Sequence, residues 1–166
     1  MSYHAQFEHW IAVPLEKVFA FFADPMNLPG IMPTWLEMRF EEMVVAPPTG
    51  APAYFAGVGT KFVASYRAIP FFSSRIRSEV QIVGFAMYEF FSDVQIKGPF
   101  RSWQHRHEFA AETRGGTPGT RLRDRIEYEL AGEPLGRIVN ALFIAPQMRR
   151  TFAYRQLAVE RILGAR

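Results

Sequence analysis

Apolar and polar side chains alternate at the start of the chain. Ala5, Phe7, His9 and Ile11 fall on one face and Gln6, Glu8 and Trp10 on the other, so the segment reads as a half-buried strand that Pro14 ends. Residues 15–24 change period: Val18, Phe19 and Phe22 recur at helical spacing just after a proline, which suits a helix start. Asp24-Pro25 begins a second short turn or helix through Leu28, and the Pro29-Gly30 pair closes it. Alternation returns over 35–45, where Leu36, Met38 and Phe40 oppose Glu37, Arg39 and Glu41. Five further strands are predicted over 61–69, 74–83, 88–96, 100–112 and 120–130. Pro70, Gly84, Gly98-Pro99 and the run Gly115-Gly116-Thr117-Pro118-Gly119 stand where hairpins need turns. The loop 47–59 carries three Pro and three Gly; its length raises a flap over a cavity, but a plain solvent loop is the expectation.

From residue 135 the period becomes 3.6 and a long terminal helix is predicted. Leu135, Ile138, Val139 and Leu142 form a first apolar stripe, and Met148, Phe152, Val159 and Ile162 a second. Pro146 lies between them; it lacks the N–H that would bond the Leu142 carbonyl, so a kink is expected there. The order is thus one strand, two short helices, six strands in meander and a long helix, an α+β arrangement with seven antiparallel strands. Such a sheet must cover one face, and only the terminal helix is long enough to lie across it. A curved sheet around one helix leaves room for a cavity.

At 166 residues the chain suits one domain, residues 1–166, with one core, and 49% hydrophobic content excludes disorder and fibrous classes. The absence of Cys excludes disulfides, thiolate metal sites and a cysteine nucleophile. The first residues lack a basic stretch followed by an apolar one, and no apolar run is long enough to span a bilayer, so a cytoplasmic protein without a membrane span is expected. The net charge of +3 is unevenly spread: residues 1–100 hold 7 basic and 9 acidic groups, residues 101–166 hold 12 and 7. Because the arginines alternate with glutamates along one strand, they read as a solvated face, and no nucleic-acid partner is expected. Gly57-Val58-Gly59-Thr60-Lys61-Phe62 precedes a strand and opens no helix, so it is not a phosphate loop.

The candidate chemistry lies on the last two strands and the helix. Parity groups Trp103, His105, His107 and Phe109 on one face, and Leu122, Asp124, Ile126, Tyr128 and Leu130 on one face of the next strand, facing inward in both cases. A turn near Gly116 and Thr117 would set His107 opposite Ile126, within diagonal reach of Asp124 and Tyr128. On the helix, Met148, Phe152, Arg155, Val159 and Ile162 step along one apolar face, which places a cation inside it. A buried cation needs a carboxylate, a ligand anion or water, and Asp124 is the inward acid expected to pair with it. His105-x-His107 is a possible chelating pair, with His9 and Asp124 as further ligands, but nothing fixes a third ligand; no metal and no cofactor are expected. The double-Phe sites, Phe71-Phe72 and Phe90-Phe91, put neighbours on opposite faces and are the one hint of a protein-interaction or chaperone-like module.

With these residues in place, the chain resembles the START-related superfamily, the helix-grip proteins that include polyketide cyclases, lipid-transfer domains and the birch-pollen-allergen type. The resemblance spans the whole chain. It is strongest in Gly57-Val58-Gly59-Thr60-Lys61-Phe62, in Phe100-Arg101-Ser102-Trp103-Gln104-His105-Arg106-His107-Glu108-Phe109, in Gly119-Thr120-Arg121-Leu122-Arg123-Asp124 and in Phe152-Ala153-Tyr154-Arg155, which look like the bacterial polyketide cyclase/dehydrase branch. The resemblance implies a seven-stranded curved sheet gripping the terminal helix, with a pocket between them. It implies a hydrophobic or amphipathic ligand (lipid, polyketide-like or aromatic) lined by Trp103, His105, His107, Asp124, Tyr128, Phe152 and Arg155. A cyclase, aromatase or dehydratase using His105, His107, Asp124 and Tyr128 as acid-base groups is the enzymatic alternative. The ligand's identity and the oligomeric state stay open.

Overall fold

The computed structural model describes residues 1–67, 74–132 and 135–164. Seven antiparallel strands form one sheet in the order β1-β7-β6-β5-β4-β3-β2: β1 (Ser2–Ile11), β2 (Arg39–Val44), β3 (Lys61–Tyr66), β4 (Ile76–Ala86), β5 (Phe90–Lys97), β6 (Ser102–Arg114) and β7 (Thr117–Glu129). β1 closes onto β7, so the first and last strands in sequence are neighbours and β2 lies at the far edge. Between β1 and β2 run α1 (Leu15–Ala23) and α2 (Leu28–Ile31), the two expected short helices. Pro14 stands just before α1, and the Asp24 carboxylate accepts from the Met26 N–H at the turn that follows. After β7 come α3 (Leu135–Val139), a π-helical turn at Asn140–Ile144, and α4 (Ala145–Leu163). Among the described residues no helix is long and apolar enough to cross a membrane.

The core has two parts. Phe19 of α1 is the hub of the first, with Phe55, Phe85, Tyr88, Phe91 and Phe109 rings around it at 5.1–6.4 Å. The second joins β7 to α4 through Ile126, Tyr128, Met148 and Phe152, and Phe152 stacks on Phe7 with centroids 4.2 Å apart. Loop 47–59 is neither a flap nor a plain solvent loop. Phe55 is buried in the first cluster, and the Ala56 N–H donates to the Ala23 carbonyl (2.8 Å). At Gly57 a Cβ would meet Pro48 Cγ at 2.7 Å and the Ala46 carbonyl at 2.8 Å, which requires glycine there.

Three sequence expectations change. The strand expected over 35–45 begins only at Arg39: Thr34–Leu36 is a 3₁₀ turn, Glu37 is left-handed at φ 43, and a bulge between Phe40 and Glu42 breaks the alternation. The first helical stripe does not face the core. Leu135, Ile138 and Leu142 are 64%, 56% and 64% exposed, because the π turn adds a residue ahead of Pro146 and reorients the segment before it. Pro146 sits in the first turn of α4, and the Ala145 N–H bonds the Asn140 carbonyl, five residues back. The second stripe is buried as expected at Met148, Phe152 and Val159, while Ile162 is 39% exposed. The third change is the β6–β7 register, which moves the site.

Candidate functional site

Gly115 and Gly116 make a two-residue turn with φ 55 and 79, joining Arg114 to Thr117. This turn lies one residue earlier than the sequence suggested, so His107 pairs with Asp124, and His105 with Ile126. On the other side β5 sets Asp93 opposite His105 and Phe91 opposite His107. Three adjacent strands therefore place Asp93, His105, His107 and Asp124 together. Asp93 was not among the expected residues, yet its parity with the buried Phe91 on the strand 88–96 was a readable signal.

His105 Nε2 donates to Asp124 Oδ1 at 2.9 Å, and His107 Nδ1 comes within 2.6 Å of the same oxygen, out of line for a hydrogen bond. The imidazoles lie 3.9 Å apart, centroid to centroid. Burial raises the Asp124 carboxyl, but the His107 and His105 imidazoles outweigh it and hold that carboxyl well below the usual range, so Asp124 is ionised at neutral pH. Burial lowers His105, reinforced by His107, and burial also lowers His107; both rings are neutral at neutral pH. With its Nε2–H committed to an acceptor-only carboxylate, neutral His105 presents Nδ1 as a lone pair. That atom lies 3.8 Å from Asp93 Oδ2. Burial raises the Asp93 carboxyl, opposed by His105 and Trp103.

Arg155 of α4 is 9% exposed and, among the described residues, has neither a hydrogen bond nor an ion pair; its guanidinium lies 4.8 Å over the Phe152 ring. The expected Asp124–Arg155 pair does not form: Asp124 Oδ1 accepts from His105, and the guanidinium and the carboxylate are not within ion-pair distance. Burial lowers Arg155, with Asp124 and Asp93 opposing at longer range; a guanidinium stays charged through such a shift.

Arg155 lies on two hollows. The larger, about 470 Å³, runs between the sheet and α3–α4 and is lined mainly by apolar side chains, among them Leu36, Phe100, Trp103, Met148 and Phe152, with Tyr66, His105, Gln147, Thr151 and Arg155 as polar members. Its volume is within the usual range for small-molecule sites. The smaller, about 70 Å³, lies beneath α1 and α2 and is lined by Asp93, His107 and Arg155 among apolar residues. Tyr128 lies on neither: its hydroxyl donates to Asn140 Oδ1 (2.6 Å), and its ring packs with Phe100, Trp103 and Tyr3 behind the larger cavity. Trp103, His105, His107, Asp124, Phe152 and Arg155 are brought together.

Asp93, His105 and His107 each offer a donor atom, all within 4.8 Å of one another, a two-imidazole, one-carboxylate set of the kind that binds zinc or iron. Asp124 would hold His105 by its other nitrogen, as outer-shell carboxylates do. The Arg155 charge acts on His107 and opposes a cation there. His9 is elsewhere, bonded to Glu160 at 2.8 Å. On the outer face Arg121, Arg123 and Arg125 pair with Glu8, Glu112 and Glu108, as alternation implied. Phe91 is buried, Phe90 lies under the Arg106 guanidinium (3.5 Å), and Phe71-Phe72 fall outside the described residues.

The fold is shared with solved structures of low sequence identity. TTHA0849 from Thermus thermophilus is 18% identical, with 98% of each chain covered and a TM-score of 0.63. The ginseng major latex-like protein 151 from Panax ginseng is 11% identical, with 98% of this chain and 97% of that one covered at a TM-score of 0.67. Protein Ms6760 from Mycobacterium smegmatis is 14% identical, with 98% and 91% covered at a TM-score of 0.63. No curated protein matches the chain. Residues 11–153, most of the chain and every element from α1 into α4, match the family described as polyketide cyclase/dehydrase and lipid transport, and the chain belongs to that family.

Proposed function

We propose that the protein binds a hydrophobic or amphipathic small molecule in the cavity between the sheet and α4. The observation that carries this reading is a hollow of about 470 Å³ with mainly apolar walls and a polar end at His105 and Arg155. The family, whose description includes lipid transport, supports it. Burial of an apolar ligand is worth about 25 cal/mol per Å² removed from water, and polar groups at one end fix its orientation. Native mass spectrometry of freshly purified protein, set against its denatured mass, tests the reading. A retained apolar compound, or saturable uptake of one added at micromolar concentration, is the expected result. Failure of every apolar probe to bind would overturn it.

A second reading rests on a separate observation. Asp124 orients His105 so that Nδ1 is a base, and the raised Asp93 carboxyl beside it can serve as an acid. That pairing of roles suits a cyclase, aromatase or dehydratase acting on a ligand held in the cavity. Once a compound is identified, its turnover should fall by roughly 10²-fold or more in His105→Gln and Asp124→Asn. Unchanged turnover in both would remove the enzymatic reading and leave the binding one standing.

A further inference from the structure

We infer that the ligand of this cavity is an apolar molecule carrying one carboxylate, and that Arg155 is the group that holds it; the inference rests on the binding reading above. The guanidinium is nine-tenths buried, has no hydrogen bond or ion pair among the described residues, and lies where the apolar cavity meets the small inner chamber. A buried cation without a protein partner is costly, and its N–H donors open on the cavity without facing a protein acceptor. No internal carboxylate pairs with it: Asp124 bonds His105, and Asp93 is within 4 Å of His105 but not of Arg155. The Phe152 ring beneath the guanidinium is itself fixed by its stack on Phe7, which holds the cation at the cavity wall.

The remaining partner is something that enters the cavity. A carboxylate matches the guanidinium fork with two parallel hydrogen bonds. A singly charged group is favoured over a phosphate dianion because the ionised Asp124 nearby acts electrostatically on Arg155 and would repel a second negative charge. The rest of the molecule is mainly apolar, since the walls beyond Arg155 and His105 are built largely from residues such as Leu36, Phe100, Trp103 and Met148, with Tyr66, Gln147 and Thr151 the few polar side chains among them. An acyl chain and an aromatic ring both meet that requirement, so the shared chemistry is an apolar acid.

The test titrates the intact protein with dodecanoate and 2-naphthoate, each beside its methyl ester, by calorimetry. The wild type should bind at least one acid about tenfold or more tightly than its ester, the scale of a charge-assisted hydrogen bond. The acid that shows the preference identifies the acyl or the aromatic source. In Arg155→Met the preference should fall to about twofold or less, while ester affinity is retained, and Arg155→Lys should keep part of it. The wild-type comparison of acid with ester needs no variant and stands even if Arg155→Met does not fold. Esters bound as tightly as acids by the wild type would overturn the inference and leave the binding reading intact. A preference that survives in Arg155→Met would also overturn it. Binding of none of the four compounds would overturn both.

Discussion

At the scale of single residues, the site is governed by one carboxylate serving two imidazoles. Asp124 is ionised, His105 and His107 are neutral, and the low-dielectric surroundings make their mutual contacts strong. Asp124→Asn removes the charge but keeps the shape, and unfolding in urea should show a loss of about 2–3 kcal/mol, the scale of charged hydrogen bonds in a buried network. The histidines also make stability depend on pH. Their folded pKa values lie below the ordinary 6.5, so the unfolded chain takes up protons that the folded chain refuses. The stability they contribute is present above 6.5 and is lost as pH falls below it, toward their folded values. Asp93 acts with the opposite sign: its folded pKa is raised above 3.8, so its contribution is present below that value and is lost as pH rises through the folded value. In His107→Gln the gap in stability from the wild type should therefore change between pH 7 and pH 5, by up to about 1.4 kcal/mol per pH unit. Denaturant melts at pH 7, 6 and 5 measure it, and a gap constant across that span would mean that His107 is not held neutral. Inward parity made His105, His107, Asp124 and Arg155 legible in the sequence. The partner of Asp124 was not: His105 bonds it in place of the expected Arg155, because partner choice is set by register to the nearest residue.

At the scale of elements, the β6–β7 turn decides what meets what. A turn placed one residue later would put His107 opposite Ile126; the observed Gly115-Gly116 turn puts it opposite Asp124. Three glycines within five residues, Gly115, Gly116 and Gly119, left that choice open in the sequence, since each could supply a positive φ. Gly116→Ala meets no atom within 4 Å of its new Cβ, so its cost is conformational only, and thermal unfolding should show a loss of about 1–2 kcal/mol. The helical stripe at 135–142 misled for a different reason. Its spacing is helical, but spacing alone does not say which side of a helix faces the sheet, and with the π turn before α4 Leu135, Ile138 and Leu142 are exposed, Leu135 at the cavity. The double variant Leu142→Ser, Phe143→Ser should accordingly stay within about 0.5 kcal/mol of the wild type in stability. A loss of several kcal/mol would place these side chains in the core after all.

At the scale of the molecule, a seven-stranded sheet closing β1 onto β7 is wider than the helix it grips, and the space left over is the cavity. That much followed from element order, because one long helix cannot cover a curved sheet of this size. The division into a large hollow and a small inner chamber, both mainly apolar and with Arg155 on both, depends on side-chain packing that no periodicity encodes. Thr151 lines the larger hollow, so Thr151→Phe should fill part of it and weaken dodecanoate binding about tenfold, with the melting temperature unchanged or raised. That a small apolar molecule binds between sheet and helix is tested by titrating ¹⁵N-labelled protein with dodecanoate and, separately, with 2-naphthoate and following amide chemical shifts with each. The account predicts saturable shifts centred on Trp103, His105, Thr151 and Phe152, at the polar end and walls of the cavity. Shifts confined to the outer sheet face around Arg106 and Arg125, or no shifts at all, would contradict it.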